Sequence, residues 1–282
     1  MIIVVTGPTA SGKTKLSEIL AKKYNGIIIN ADSMQVYKKL DIGTAKVKKE
    51  EMEDVPHYLF DICNPEDEYS VYDYQRDARK IIDENKNKTI ILVGGTGLYI
   101  KAALFDYKFE EQEEKETYDD LTNEELYNMA KEKGYDIHIN NRRRLINALN
   151  KKEQSNNKND LLYDAVFIGL KPDRSILYEK INNRVDEMIK EGLINEVETL
   201  YKEYGNVKSL KSGIGYKEII DYLDGEVTFE TAVELIKKRS RHYAKRQFTW
   251  FNNQMDMKWF KTDYDNFDNT IKEVNNYLEK II

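Results

Sequence analysis

Gly7-Pro8-Thr9-Ala10-Ser11-Gly12-Lys13-Thr14 is the stretch from which the rest of the chain is read. It follows the apolar run Ile2-Ile3-Val4-Val5 and leads into a helical pattern. In that strand-to-helix setting it matches the phosphate-binding pattern G-x-x-x-x-G-K-[ST]. The glycines let the backbone curl so that successive N–H groups point at one anion, and the helix start adds its positive dipole end. Lys13 brings a mobile positive charge. The Thr14 hydroxyl suits Mg²⁺ held against phosphate oxygens. The bland alternative is a glycine-bearing turn with no ligand. A bound phosphate is the expectation, and the loop alone leaves its owner open.

Working outward, Lys13 to Tyr24 has Leu16, Ile19 and Leu20 on one face, a helix that Asn25-Gly26 ends. Ile27 to Ile29 is a short apolar strand of the kind buried in a parallel sheet. It opens into Asn30-Ala31-Asp32-Ser33-Met34-Gln35-Val36-Tyr37. Ligands of open parallel sheets sit beyond the carboxyl ends of strands, so Asp32 and Ser33 fall near the phosphate; Asp32 could equally be a helix N-cap. Tyr69 to Asn85 is helical, with Val71, Tyr74, Ala78 and Ile81 inward and Asp73, Arg76 and Arg79 outward. Thr89 to Val93 is a third buried strand, ending in the glycine-rich turn Gly94-Gly95-Thr96-Gly97. Those glycines either serve a ligand or only close the turn.

From Phe105 the composition shifts. Residues 110–120 are an acidic, solvated run, and 151–160 is a polar link. Between them lie a helix over Asn123 to Lys133 and a second one starting near Arg142, Arg143 and Arg144. Residues 107–161 therefore read as an insertion into a core made of 1–106 and 162–282. Ala165 to Leu170 resumes the sheet, and Ser175 to Tyr204 is helical, with Ile176, Leu177, Ile181, Val185, Met188 and Ile189 on one face and Gly192 interrupting. Ser212 to Lys217 is a third glycine-containing turn. Thr231 to Asn252 is a long helix, Met257 to Phe260 a last strand, and Asp265 to Ile282 a closing helix.

With 282 residues, 40% of them hydrophobic, the chain can hold one large domain with a smaller insertion. A charged share of 33% predicts a soluble, heavily ionised surface, and the net charge of −6 argues mildly against nonspecific nucleic-acid binding. Cys63 stands alone, which excludes an intramolecular disulfide and fits a reducing compartment. No basic leader precedes the first strand and no apolar run reaches membrane-spanning length, so a cytoplasmic protein is expected. His57, His138 and His242 lack metal-ligand spacing.

Against the negative total, Lys237, Lys238, Arg239, Arg241, Lys245 and Arg246 cluster on the long helix, with Tyr243, Phe248 and Trp250 among them. Basic residues interleaved with aromatics suit an unpaired RNA segment; an ordinary solvated helix face is the alternative. A P-loop kinase would also carry Lys13 and Thr14, with Asp32 activating a hydroxyl and Arg142 to Arg144 in a lid. Composition and spacing leave the two readings open.

The ordered segments 7–14, Asp-Ser-Met-Gln-Val-Tyr (32–37), Asp-Ile-Gly-Thr-Ala-Lys (41–46), Gly-Gly-Thr-Gly-Leu-Tyr (94–99), Asn-Arg-Arg-Arg (141–144), Ile-Gly-Tyr-Lys-Glu (214–218) and Ala-Lys-Arg-Gln-Phe-Thr-Trp (244–250) span nearly the whole chain. Together they resemble the tRNA dimethylallyltransferases, also called tRNA isopentenyltransferases. The resemblance implies an α/β fold, a P-loop NTPase-like parallel sheet flanked by helices, with a smaller, mainly helical insertion. It implies transfer of a dimethylallyl group from dimethylallyl diphosphate to N6 of adenosine 37, beside the anticodon. Gly7, Pro8, Thr9, Ala10, Ser11, Gly12, Lys13 and Thr14, with Mg²⁺ on Thr14, would hold the diphosphate. Asp32 would be the general base, Thr96 a polar contact at the reaction centre, and Ser33, Met34 and Gln35 the adenosine pocket. Lys245, Arg246 and Gln247 would meet the RNA, and Arg142, Arg143 and Arg144 would clasp the anticodon stem-loop. A monomer is expected. The insertion is shorter than is usual in the family, its 110–120 run is acidic, and Asn147 stands where many members have Arg. A prenyltransferase of free adenine nucleotides and an RNA-binding module are the other readings.

Overall fold

The computed structural model describes residues 1–52, 55–109, 116–150 and 160–281. Its strands are β1 (Ile2–Thr6), β2 (Ile27–Asn30), β3 (His57–Tyr58), β4 (Ile90–Val93), β5 (Ala165–Lys171) and β6 (Lys258–Lys261). They form one sheet in the order β3-β2-β4-β1-β5-β6. All neighbouring pairs are parallel. β1, β2 and β4 are buried along their whole length, as strands covered on both faces must be. The helices are α1 (Lys13–Lys23), α2 (Lys49–Met52), α3 (Val71–Glu84), α4 (Gly97–Leu104), α5 (Asn123–Glu132), α6 (Arg142–Leu149), α7 (Arg174–Glu191), α8 (Leu193–Tyr204), α9 (Lys208–Ser212), α10 (Tyr216–Leu223), α11 (Phe229–Gln254) and α12 (Phe267–Leu278). None is long and apolar enough to cross a membrane.

Strand alternation sorts the core into two layers. Ile2 and Val4 face Tyr74 and Ala78 of α3 and Ile100 and Leu104 of α4. Ile3 and Val5 face Leu16 and Leu20 of α1 and Val274 and Leu278 of α12. Each buried valine, leucine or isoleucine among them contributes roughly 1.5–3 kcal/mol by leaving water. A third core, Val185, Val197, Tyr216, Ile219 and Ile236, lies among α7, α8, α10 and α11. No pattern in the sequence separates this helical layer from the helices that cover the sheet.

Two compact units result, 1–105 with 161–282, and 106–160. In the second, α5 and α6 pack around Leu126, Ala130, Leu145 and Leu149. Thr122 caps α5, its hydroxyl accepting from the Glu125 N–H while Glu125 accepts from the Thr122 N–H. Residues 110–115 of the acidic run and 151–159 of the polar link lie outside the described residues.

Three local expectations are corrected. Arg79 does not point outward: its guanidinium donates to the carbonyls of Ala102, Ala103 and Phe105, closing the carbonyl end of α4. Ile176 is not inward but 39% exposed. Asp32 caps no helix; its Oδ1 accepts from the Met34 N–H at 3.0 Å in a local turn.

Candidate active site

The carboxyl ends of β1, β2 and β4 are neighbours in the sheet, which brings loop 7–12, loop 31–36 and turn 94–96 to one edge. Gly7 (φ 144°) and Gly12 (φ 92°) hold the first loop in its curled path, and Ala10 joins them at φ 63°. Lys13 Nζ donates to the Pro8 carbonyl at 2.8 Å. The Ser11 hydroxyl is buried with no protein partner among the described residues.

Asn30, at the end of β2, is buried and sets the Asp32 backbone. Its Oδ1 accepts from the Asp32 N–H at 2.9 Å, and its Nδ2 donates to the carbonyls of Asp32 and Leu59. Thr96 Oγ1 accepts from the Ser33 N–H at 3.0 Å and donates to Ser33 Oγ at 3.2 Å, so loop and turn are tied. Gln35 Nε2 donates to the Thr44 carbonyl at 3.0 Å.

The turn 94–97 needs glycine for close approach rather than for backbone freedom. A side chain at Gly95 would begin 2.0 Å from Gln247 Nε2, and one at Gly97 would begin 2.0 Å from the Trp250 ring. α11 is thus pressed against the turn. Gln247, expected on the RNA face, is instead buried. Its Oε1 accepts from the Thr9 N–H at 2.9 Å and its Nε2 donates to the Gly95 carbonyl at 3.1 Å, joining the phosphate loop to the turn.

A cavity of about 90 Å³ lies over the loop, lined by Thr9, Lys13, Thr14, Asn30, Asp32, Gln35, Arg184 and Gln247 among others. A neighbouring one of about 300 Å³ shares Thr9, Asp32 and Arg184, and takes Ser33, Met34, Ile181, Val185, Met188, Ile214, Ile236 and Tyr243 as walls. Burial brings the Lys13 ammonium down to about 8, with the Arg184 charge adding to the fall and Asp32 opposing it. Burial also lowers Arg184, which Asp32, Glu187 and Glu191 support. Arg184 donates to Thr9 Oγ1 at 3.3 Å. Burial, then the Asp32 carboxylate, pushes the Tyr243 phenol up. Two half-buried cations against one carboxylate in the cavity favour an added anion.

Sequence reading missed Arg184, which looks like any basic residue on an amphipathic helix, and took Tyr243 only as one of several aromatics. It also overcounted the basic surface of α11. Lys237 pairs with Asp186 at 2.8 Å, Arg239 with Glu218, and Arg241 with Asn182. Phe248 packs on Trp259, ring centres 4.9 Å apart. Lys238, Lys245 and Arg246 remain exposed, and the last two line an outer groove with His242, Thr249 and Trp250. In the second unit Arg142 donates to the carbonyls of Leu121 and Tyr118 at 2.6 and 2.7 Å, while Arg143 and Arg144 are exposed.

Comparison with known proteins gives the family. The family model described as IPP transferase matches residues 35–254. A tRNA dimethylallyltransferase of Geobacillus thermodenitrificans is 45% identical over 98% of this chain and 96% of its own. The solved tRNA isopentenylpyrophosphate transferase of Bacillus halodurans is 41% identical with a TM-score of 0.79, covering 99% of this chain and 95% of that one. A eukaryotic dimethylallyltransferase solved acting on tRNA is 28% identical with a TM-score of 0.83, over 99% of this chain and 79% of that one. The α/β, P-loop NTPase-like fold expected from the sequence is the fold of these relatives. The chain belongs to the IPP transferase family, the tRNA dimethylallyltransferases, and is a prenyltransferase enzyme.

Proposed function

We propose that this enzyme transfers the dimethylallyl group of dimethylallyl diphosphate to N6 of adenosine 37 in tRNA, releasing diphosphate. The observation that carries the reading is the placement of half-buried Lys13 and Arg184 over the glycine loop, with Asp32 in the same cavity. The loop N–H groups of residues 10–14, with Lys13 and Arg184, take the diphosphate. The apolar wall of Ile181, Val185, Met188, Ile214 and Ile236 takes the prenyl chain and keeps water from its reacting carbon.

The N6 lone pair of adenine is delocalised into the ring, so the amine is a poor nucleophile. As the N6–carbon bond forms, the bond from that carbon to the diphosphate oxygen breaks and its electron pair leaves with the diphosphate. Asp32 accepts the N6 proton. Its carboxylate accepts from the Met34 N–H, and Asn30 holds the Asp32 backbone that carries it. Ser33, Met34, Gln35 and Thr96 line the place of the adenine, which must leave the anticodon-loop stack to reach it. The Thr14 hydroxyl, which lines the same cavity, would give Mg²⁺ one hard oxygen ligand beside those of the phosphates and water, leaving Asp32 free for the proton. When bound, the ion offsets charge on the departing diphosphate. Lys245 and Arg246 meet the RNA backbone on one unit, and Arg143 and Arg144 do so on the other.

Incubation of unmodified tRNA with dimethylallyl diphosphate and Mg²⁺ tests the proposal. Prenylated adenosine should form without ATP. ATP hydrolysis in the absence of a prenyl donor, with no prenylated product in its presence, would instead favour the kinase reading.

A further inference from the structure

The phosphate loop is braced from behind by a segment outside the 35–254 stretch that matches the family. Between β6 and α12, Tyr264 donates its hydroxyl to the Ala10 carbonyl at 2.8 Å. Phe267, the first residue of α12, lays its ring where a side chain at Gly12 would begin, 2.6 Å from that point. The Lys15 ammonium sits 5.3 Å over the same ring. Ala10 and Gly12, the two residues so held, both have positive φ, and for Ala10 that conformation is strained.

A trans peptide unit is planar, with its carbonyl and its N–H on opposite sides. The Ala10 carbonyl that reaches out to Tyr264 therefore turns the Ser11 N–H the other way. That N–H faces the loop interior, where it reaches the Pro8 carbonyl at 3.3 Å. Pro8 is also the partner of Lys13 Nζ. The Ala10 carbonyl held on the outside and the Ser11 N–H on the inside belong to one rigid plate.

We infer that Tyr264, seconded by Phe267, is a positioning residue that holds the phosphate loop in its anion-binding shape without touching the ligand. The inference rests on the diphosphate reading of the loop. Tyr264 also carries the Lys180 ammonium 5.6 Å over its ring, a contact that Tyr264→Phe keeps while deleting only the hydroxyl. Burial raises the Tyr264 phenol to about 12, so it stays a donor across ordinary assay conditions.

The test measures binding of inorganic diphosphate with Mg²⁺ to the full chain, together with steady-state constants and thermal melting. Tyr264→Phe should weaken diphosphate binding about threefold to tenfold, the span of one lost hydrogen bond. KM for dimethylallyl diphosphate should rise by the same factor, with kcat and KM for tRNA unchanged, the signature of lost ground-state binding, and the melting midpoint lowered by no more than a few degrees. Phe267→Leu should act in the same direction. Wild-type affinity for diphosphate in Tyr264→Phe would overturn the inference, as would a parallel loss in tRNA binding with a larger fall in the melting midpoint. If the wild-type protein itself binds no diphosphate, the reading of the loop fails first and this inference with it.

Discussion

The Lys13 ammonium and the Arg184 guanidinium line one buried cavity, and the second charge helps to bring the first down to about 8. Burial is the larger cause, and the Asp32 carboxylate works against both. The site is thus set up as a cation pair whose repulsion an incoming polyanion removes.

One consequence is a pH dependence of donor binding. Protonated Lys13 is the binding form, so its contribution to diphosphate affinity should be flat below about pH 7 and fall above pH 8, by at most about tenfold per unit for one proton. Calorimetry near pH 8 should show proton uptake on binding, as buffer-dependent heat. Lys13→Arg stays charged and removes the ligand's own titration from the comparison; identical profiles for the two proteins would contradict this assignment.

The same shift costs folding stability. Lys13 is held below its ordinary value of 10.5, so the cost is present in full below pH 8 and fades as pH rises toward 10.5. A shift of this size is worth at most ~3 kcal/mol. Lys13→Met should therefore raise the melting midpoint at pH 7 by several degrees, less at pH 10, while abolishing diphosphate binding. A lower midpoint at pH 7 would show that the bond to the Pro8 carbonyl outweighs the burial cost.

Asp32→Asn keeps an oxygen for the Met34 N–H and removes the base. Turnover should fall by roughly 10² to 10⁴, the scale of one positioned proton acceptor, with diphosphate affinity at pH 7 changed only a fewfold. Rapid-quench single-turnover kinetics separates the two. Turnover within tenfold of wild type would remove Asp32 from the chemistry.

Gln247 and Gly95 should behave as a coupled pair. Gly95→Ala places a methyl on the Gln247 amide and should destabilise by roughly 1–3 kcal/mol, the usual cost of overpacking. Adding Gln247→Ala should recover part of that loss, a coupling of about 0.5–3 kcal/mol in a double-mutant cycle read by denaturant unfolding. Strict additivity would mean that turn 94–97 moves away from α11 at no cost.

On α11 the exposed and the paired basic residues should separate. Charge reversal at Lys245 and Arg246 should weaken tRNA binding and flatten its salt dependence. Lys237→Glu, which strands Asp186, should lower the melting midpoint with little change in the salt slope. Filter binding across a salt series, set beside melting curves, distinguishes them.

The strand ends and the phosphate loop were legible because their signals are local. A glycine spacing, an apolar quartet and a helix start lie within a few residues of one another. What stayed hidden depends on partners far away in the chain. Arg184 becomes part of the site only because α7 passes over Thr9 and Asp32. Lys237 and Arg239 leave the unpaired basic surface of α11 only because Asp186 and Glu218 come from other helices. Gln247 reads as one more polar residue in a basic run until Thr9 and Gly95 stand on either side of it. Arg79 looked solvent-facing on its own helix, and the carbonyl end of α4 is what turns it inward.

Nuclease mapping by mass spectrometry, on unmodified tRNA incubated with dimethylallyl diphosphate and Mg²⁺, tests the central claim most directly. The account predicts a gain of one prenyl unit on the fragment holding adenosine 37, one diphosphate released per unit transferred, and neither with a guanosine at that position. A prenyl unit elsewhere in the tRNA, or diphosphate released without transfer, would contradict it.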